Sequence, residues 1–343
     1  MPSGTSSHDR QERLIAAGQL PGVLALGAEP PLAALRKGPV PARIANVRIG
    51  TASWTDTSLI ESATFYPPGV VKAEDRLRYY ARHFPVVEVD ATFYALPSAR
   101  NAAAWVERVP DDFSFGVKAF AAMTGHPFVP ARLPSDLRTA LAPDVARRQR
   151  VYARELPSGV CDEIWRRFHD GIAPLNQAGI LGYVLFQFPK WFPRGRATMA
   201  YIEECVRRLP GHRIAVEFRE PSWLAEAHAE ATLDFLRQRG LVYVSVDEPQ
   251  GTRASVPPVA AATADDLAIV RFHGRNTAAW DRPGVGVGER FRYLYSDREL
   301  GEWRPRIAHL AGQAREVHVL MNNCHRHYAV QNAKDLAVIL AAA

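Results

Sequence analysis

Residues 87–92 read Val-Glu-Val-Asp-Ala-Thr, an apolar side chain alternating with a polar one at nearly every step. Alternate side chains of a β-strand point to opposite faces, so the stretch reads as a strand with one apolar and one charged face. The pattern recurs along the chain. β-Prone runs lie at residues 48–54, 86–93, 113–119, 182–188, 213–219, 241–247, 267–274 and 316–323. Most are separated by segments of helical periodicity. In residues 74–83, Leu77, Tyr80 and Ala81 fall on one face, and residues 199–209 and 225–239 repeat the spacing. Alternating strands and helices imply parallel strands joined by right-handed crossovers. Eight such units predict a closed α/β barrel of the TIM type, (β/α)8. An open dinucleotide-binding sheet is the alternative, but no Gly-x-Gly-x-x-Gly follows the first strand.

Two segments break the repeat. Residues 121–181 are too long for one crossover and predict an insertion between strands 3 and 4, with extra helices outside the barrel or over its mouth. Residues 248–266 contain Pro249, Gly251, Pro257 and Pro258 and are expected to lack a full-length helix. Residues 1–42 are rich in Ala, Gly, Pro and Ser and read as a partly ordered N-terminal extension, leaving 43–343 as the barrel.

Bulk properties narrow the class. Hydrophobic residues make up 47% and charged residues 23% of the 343, which is a globular composition. No apolar run approaches the ~20 residues that span a bilayer, so no membrane association is expected. Asp9, Arg10, Glu12 and Arg13 precede any apolar stretch, which is unlike a secretory leader and makes the cytoplasm the default location. Cys161, Cys205 and Cys324 are far apart and form no CxxC pair, arguing against a disulfide framework or a structural zinc site. The net charge of +6 gives a mild preference for anionic partners. The basic residues are dispersed, and their densest run, Arg147, Arg148 and Arg150, suits a solvated helix face.

The charged residues of the strands share one parity. Glu88 and Asp90 alternate with Val87 and Val89. Glu217 and Arg219 alternate with Val216 and Phe218. Arg271, His273 and Arg275 alternate with Val270 and Phe272, Ser245 and Asp247 with Val244 and Val246, and Lys118 shares a side with Gly116. The apolar set is expected to meet the helices and the charged set to point into the barrel, near the C-terminal strand ends where barrel enzymes place their chemistry. Buried charges are costly unless they pair with one another or meet a ligand. An internal ion network and a functional pocket are therefore the two readings of this cluster.

The motifs resemble those of the DUF72, or YecE-like, family. They are RIGTASW at 48–54, FYPPG at 65–69, VEVDATFYALPS at 87–98, FSFGVKA at 113–119, LFQFP at 185–189, AVEFREPSW at 215–223, RFHGRN at 271–276, YLYSDREL at 293–300, the Asn322–Asn323 pair and the later Asn332–Ala333. The resemblance covers nearly everything after residue 47. It implies a TIM-type barrel and leaves the activity open, because the family has no established function. The family usually has Asn at the position of Asp90, and its Thr-His pair is here Thr124-Gly125-His126, which displaces His126.

Two kinds of chemistry suit the pocket. As an enzyme, a hydrolase or isomerase, Glu88, Glu217 and Asp247 are candidate acids or bases, and His273 is the natural proton shuttle near neutral pH. Lys118 is a candidate electrophile or, if desolvated, nucleophile. Arg219, Arg271 and Arg275 suit bidentate capture of a phosphate or carboxylate. Gln187, Asn276 and Asn323 suit orientation of a polar ligand. Glu88, Glu217 and Asp247 with His273 also offer donors for a divalent metal, by analogy with sugar-isomerase and endonuclease IV-like barrels, although no HxH or HExxH motif accompanies them. As a binding protein, the arginines with Trp54, Tyr94, Trp223 and Trp280 suit a nucleotide or a nucleic-acid end; the alternative for the tryptophans is loop packing. The glycines of GVGVGER at 284–290 do not have phosphate-loop spacing and fit a lid. Cys324, despite His325 and His327 nearby, reads as a spectator thiol, and His318 as a core histidine.

Overall fold

The structure, a computed structural model, describes residues 40–253 and 255–342. The expected extension at 1–42 lies almost wholly outside these residues. Among the described residues the strands are β1 (Arg43–Ile44), β2 (Val47–Thr51), β3 (Val86–Val89), β4 (Ser114–Lys118), β5 (Leu181–Gln187), β6 (Ile214–Glu217), β7 (Val242–Asp247), β8 (Ala268–Phe272) and β9 (Val317–Met321). Neighbours in sequence are neighbours in the sheet, and β2 also pairs with β9. The eight strands β2–β9 run parallel and close the barrel. The two-residue β1 lies antiparallel to the start of β2 and is too short to show a period in sequence.

Seven helices of eight residues or more follow the barrel strands among the described residues: α1 (Ala73–Ala81), α2 (Ala99–Val106), α3 (Ser158–Gln177), α4 (Arg196–Arg208), α5 (Ala229–Arg237), α6 (Arg304–Gln313) and α7 (Tyr328–Ala341). They form because their apolar residues return at helical spacing. In α3, Val160, Ile164, Phe168, Ile172 and Leu175 make one buried stripe. The insertion between β4 and β5 contains one-turn elements at Ala121–Thr124, Pro130–Arg132, Ser135–Thr139, Pro143–Ala146 and Ala153–Glu155 before α3 begins. Among the described residues no helix connects β7 to β8. The Thr263 hydroxyl instead pins that proline-rich connection to β7, accepting from Tyr243 N at 2.8 Å and donating to Leu241 O at 2.6 Å. Among the described residues no helix is long and apolar enough to cross a membrane.

Strand contact is tightest at Gly50. A Cβ there would lie 2.0 Å from the Val86 carbonyl oxygen of the neighbouring strand, and that backbone atom cannot rotate away. Gly50→Ala is expected to cost about 3 kcal/mol by overpacking, read as a lower urea midpoint with an unchanged slope. An unchanged midpoint would show that β2 and β3 can separate freely.

The register fixes which residues look inward. Partnered residues of adjacent parallel strands share a face. The chain of partners Glu88–Gly116–Tyr183, Lys118–Leu185–Ala215 and Gln187–Glu217 runs round the interior. Arg271 pairs with Leu320 on one side and Val246 on the other. Val242, Val244 and Val246 therefore face the interior, while Ser245 and Asp247 face the helices. This reverses the expected parity of β7. The dry interior accepts the branched valines as readily as the helix layer does.

Candidate functional site

The strand ends carry a buried ion network. Arg271, fully enclosed, donates from Nη2 to Glu88 Oε1 at 2.6 Å and from Nη1 to Glu217 Oε2. Glu217 Oε1 accepts from Arg219 Nε at 2.5 Å and lies 3.1 Å from His273 Nε2. Arg219 continues to His273 Nε2 at 2.9 Å and to Glu248 Oε2 at 3.1 Å. His273 Nδ1 meets Asn322 Nδ2 at 2.8 Å. Burial raises the Glu217 pKa, but Arg219 and Arg271 outweigh it and hold the carboxyl well below its usual range. Glu88 is pushed up by its burial, against the pull of Arg271. Glu248 rises to about 7, mainly through burial. Burial, aided by Arg219, lowers His273 to about 3, so this imidazole is neutral with both nitrogens engaged.

Above the network opens a cavity of about 530 Å³. Lys118 and Gln187 reach it from strand ends, and Asp56, Asp90, Arg219 and Asn322 from the segments that follow strands. Lys118 is partly buried, and its ammonium forms no hydrogen bond or ion pair among the described residues; it rests 4.6 Å from the centre of the Phe93 ring. Burial and then Arg271 lower its pKa to about 8. Asp90 is raised to about 6 by burial, against the opposing pull of Lys118. His126 is lowered to about 3, chiefly by burial, and its Nδ1 lies 2.8 Å from Thr124 Oγ1. One wall is a run of rings in contact: Tyr94 to Phe93 at 5.2 Å, Phe93 to His126 at 5.1 Å, and His126 to Trp191 at 5.6 Å. Trp280 and Phe291, 6.2 Å apart, also line the cavity.

The fold agrees with what comparison with known proteins gives. Residues 48–343 match the family model described as "Protein of unknown function DUF72". The chain belongs to the DUF72 family. It is 34% identical over 297 residues to UPF0759 protein YunF of Bacillus subtilis, covering 86% of this chain and 94% of that one. UPF0759 protein YecE of Escherichia coli K12 is 28% identical over 223 residues, 60% of this chain and 70% of that one. Solved DUF72 structures from Thermotoga maritima (TM-score 0.66, 29% identity, 86% of this chain and 99% of that one) and Enterococcus faecalis (TM-score 0.68, 26% identity, 86% and 95%) share the fold.

In this DUF72 barrel only some of the residues singled out in the sequence meet the cavity. Lys118, Gln187, Arg219, Tyr94 and Trp280 line it, and Glu88, Glu217, Arg271 and His273 belong to the network. Asp247 does not join them. It faces outward, accepting from Trp303 Nε1 at 2.6 Å, Tyr295 OH at 2.6 Å and Arg275 Nη2 at 2.7 Å. Arg275 leaves the inward row because Gly274, at φ 87°, breaks the alternation; it binds Asp247 and Glu302. Asn276 fastens the 289–292 backbone, and Asn323 ties Tyr293 O to Asn332. Trp54 packs against Trp105 and Phe115, and Trp223 stacks on Phe218 and Phe192. The expected metal donors are not assembled: Arg271 occupies Glu88 and Glu217, Asp247 lies on the other face, and no group of three or more His, Cys, Asp or Glu is arranged to hold an ion among the described residues.

Other cavity residues were not selected from sequence. Asp56 caps the short helix Thr57–Glu61, accepting from Ser58 N and Leu59 N. Lys190, Trp191 and Arg290 lie in segments without strand periodicity. Asn322 was accessible to parity: it follows inward Leu320 by two positions, whereas Asn323 follows outward Met321. The GVGVGER segment supplies Gly288 and Arg290 to the cavity rim.

Proposed function

We propose that the cavity binds a small anionic ligand, a phosphate or carboxylate, and that Lys118 and Asp90 exchange protons with it in a hydrolysis or isomerisation. The observation that carries this reading is Lys118, a cation that lines the cavity with no carboxylate partner among the described residues, in company with Arg219. Lys190 and Arg290 also line the cavity, against only Asp56 and Asp90 among acids. Asp90 at about 6 and Lys118 at about 8 bracket neutral pH, so one is mainly a base and the other mainly an acid there. Gln187 and Asn322 are placed to orient polar groups of the ligand.

Sulfate, whose charge is constant near neutral pH, separates the protein's titration from the ligand's. Calorimetry is expected to find sulfate binding at pH 7 that weakens about tenfold by pH 9, as Lys118 loses its proton. Lys118→Gln is expected to weaken binding at pH 7 by about tenfold and to remove the pH dependence. Binding that is absent, or indifferent to both pH and the substitution, contradicts the reading.

A second reading, a nucleotide or single-strand end, is favoured by one observation. Tyr94 and Trp191, at the ends of the ring wall, are 55% and 53% exposed. Such rings stack on bases. Affinity for a short oligonucleotide should then fall steeply with salt and drop when Trp191 becomes Ala.

A further inference from the structure

We infer that Lys118 is a nucleophile that forms an imine with a carbonyl group of the cavity ligand, so that the substrate class is an aldehyde or ketone bearing a phosphate or carboxylate. This rests on the cavity binding an anion and goes beyond it. A lysine that only binds anions needs a permanent charge, which arginine supplies better. The chain uses arginine almost everywhere: of its 42 basic residues only Lys37, Lys72, Lys118, Lys190 and Lys334 are lysines. At 118 the amine sits at a strand end, faces the cavity, has no carboxylate in ion-pair contact among the described residues and rests against the Phe93 ring. These surroundings favour the neutral amine, and the lowered pKa agrees with them. Arg219 lines the same cavity and remains to hold the ligand's anionic group.

The step balances without a further reactant. The Lys118 Nζ lone pair attacks the carbonyl carbon, and the carbonyl oxygen takes up a proton to give a carbinolamine. A second proton, donated by the Asp90 carboxyl, converts the hydroxyl to leaving water, while the amine has released one proton to solvent or to Asp90. The sum is amine plus carbonyl plus one proton giving iminium plus water, and hydrolysis reverses it. The iminium withdraws electrons from the adjacent carbon and eases loss of a proton there, which fits isomerisation.

The test uses glycolaldehyde phosphate with sodium cyanoborohydride, which reduces an iminium to a stable secondary amine, followed by peptide mass mapping of the full chain. Labelling is expected at Lys118 at least about tenfold above every other lysine, because ordinary amines are almost wholly protonated at pH 8. Sulfate is expected to protect Lys118, and Lys118→Gln to lose the label. If sulfate binds the wild-type protein and Lys118 stays unlabelled, or is labelled no faster than exposed lysines, the imine is overturned and the anion site stands. If sulfate neither binds nor protects, the anion site itself fails and the inference fails with it.

Discussion

Arg271→Met is expected to destabilise the protein by about 3–5 kcal/mol, because it leaves Glu88 and Glu217 buried without their shared counter-charge. Both carboxylates and the guanidinium are fully enclosed, so water cannot replace the lost partner without opening the barrel. The effect is read as a lower urea midpoint at pH 7. The triple variant Glu88→Gln, Glu217→Gln, Arg271→Met is expected to recover much of the loss, since it removes the charges together. A loss below about 1 kcal/mol for Arg271→Met, the range of exposed pairs, would mean that the network is solvated. Acid acts in the same direction. Glu217 is held below its unfolded value, so its contribution is present above the ordinary carboxylate range and is lost as pH falls through the folded value.

Lys118→Met is expected to do the opposite, raising stability by up to about 3 kcal/mol at pH 7 while weakening anion binding about tenfold. The folded protein holds the Lys118 proton less tightly than the unfolded chain, so the charged amine opposes folding at neutral pH. That cost is fully present below about 8 and shrinks as pH rises toward the ordinary lysine value of about 10.4. The stability gap between variant and wild type should narrow over that range. A variant less stable than wild type at pH 7 would mean that the amine is paired in solution. A residue that costs stability where it stands is what a functional site, rather than a structural ion pair, is expected to contain.

The barrel was legible because its eight strands are short, regular and separated by helical periodicity, and each was found within a few residues. Strand ends were overestimated where the chain turns to serve the site. The run at 86–93 leaves the sheet after Val89, and Ala91–Phe93 forms a 3-10 turn that brings Phe93 and Tyr94 to the cavity. The interior network was legible by parity in β3, β6 and β8, where the charged residues contrast with branched apolar ones. Parity failed at β7, whose interior row is itself valine, and past Gly274, whose positive φ reverses the side chains. Parity also cannot tell an inward residue under the cavity from one that lines it. Glu88 and Glu217 both pair with Arg271, whereas the Lys118 ammonium makes no ion pair among the described residues. That difference depends on distances between strands far apart in sequence. The aromatic wall draws Trp191 from the segment after β5 and His126 from the insertion, where no periodicity links them.

The titration of Lys118 itself tests the account most directly. With five lysines in the chain, the side-chain carbon signals of isotope-labelled lysine can be assigned by single substitutions. The account predicts that Lys118 titrates near 8 in the free protein and moves upward when sulfate is added, because an anion in the cavity favours the ammonium. A Lys118 that titrates at the ordinary value of about 10.4 and does not respond to sulfate would contradict it.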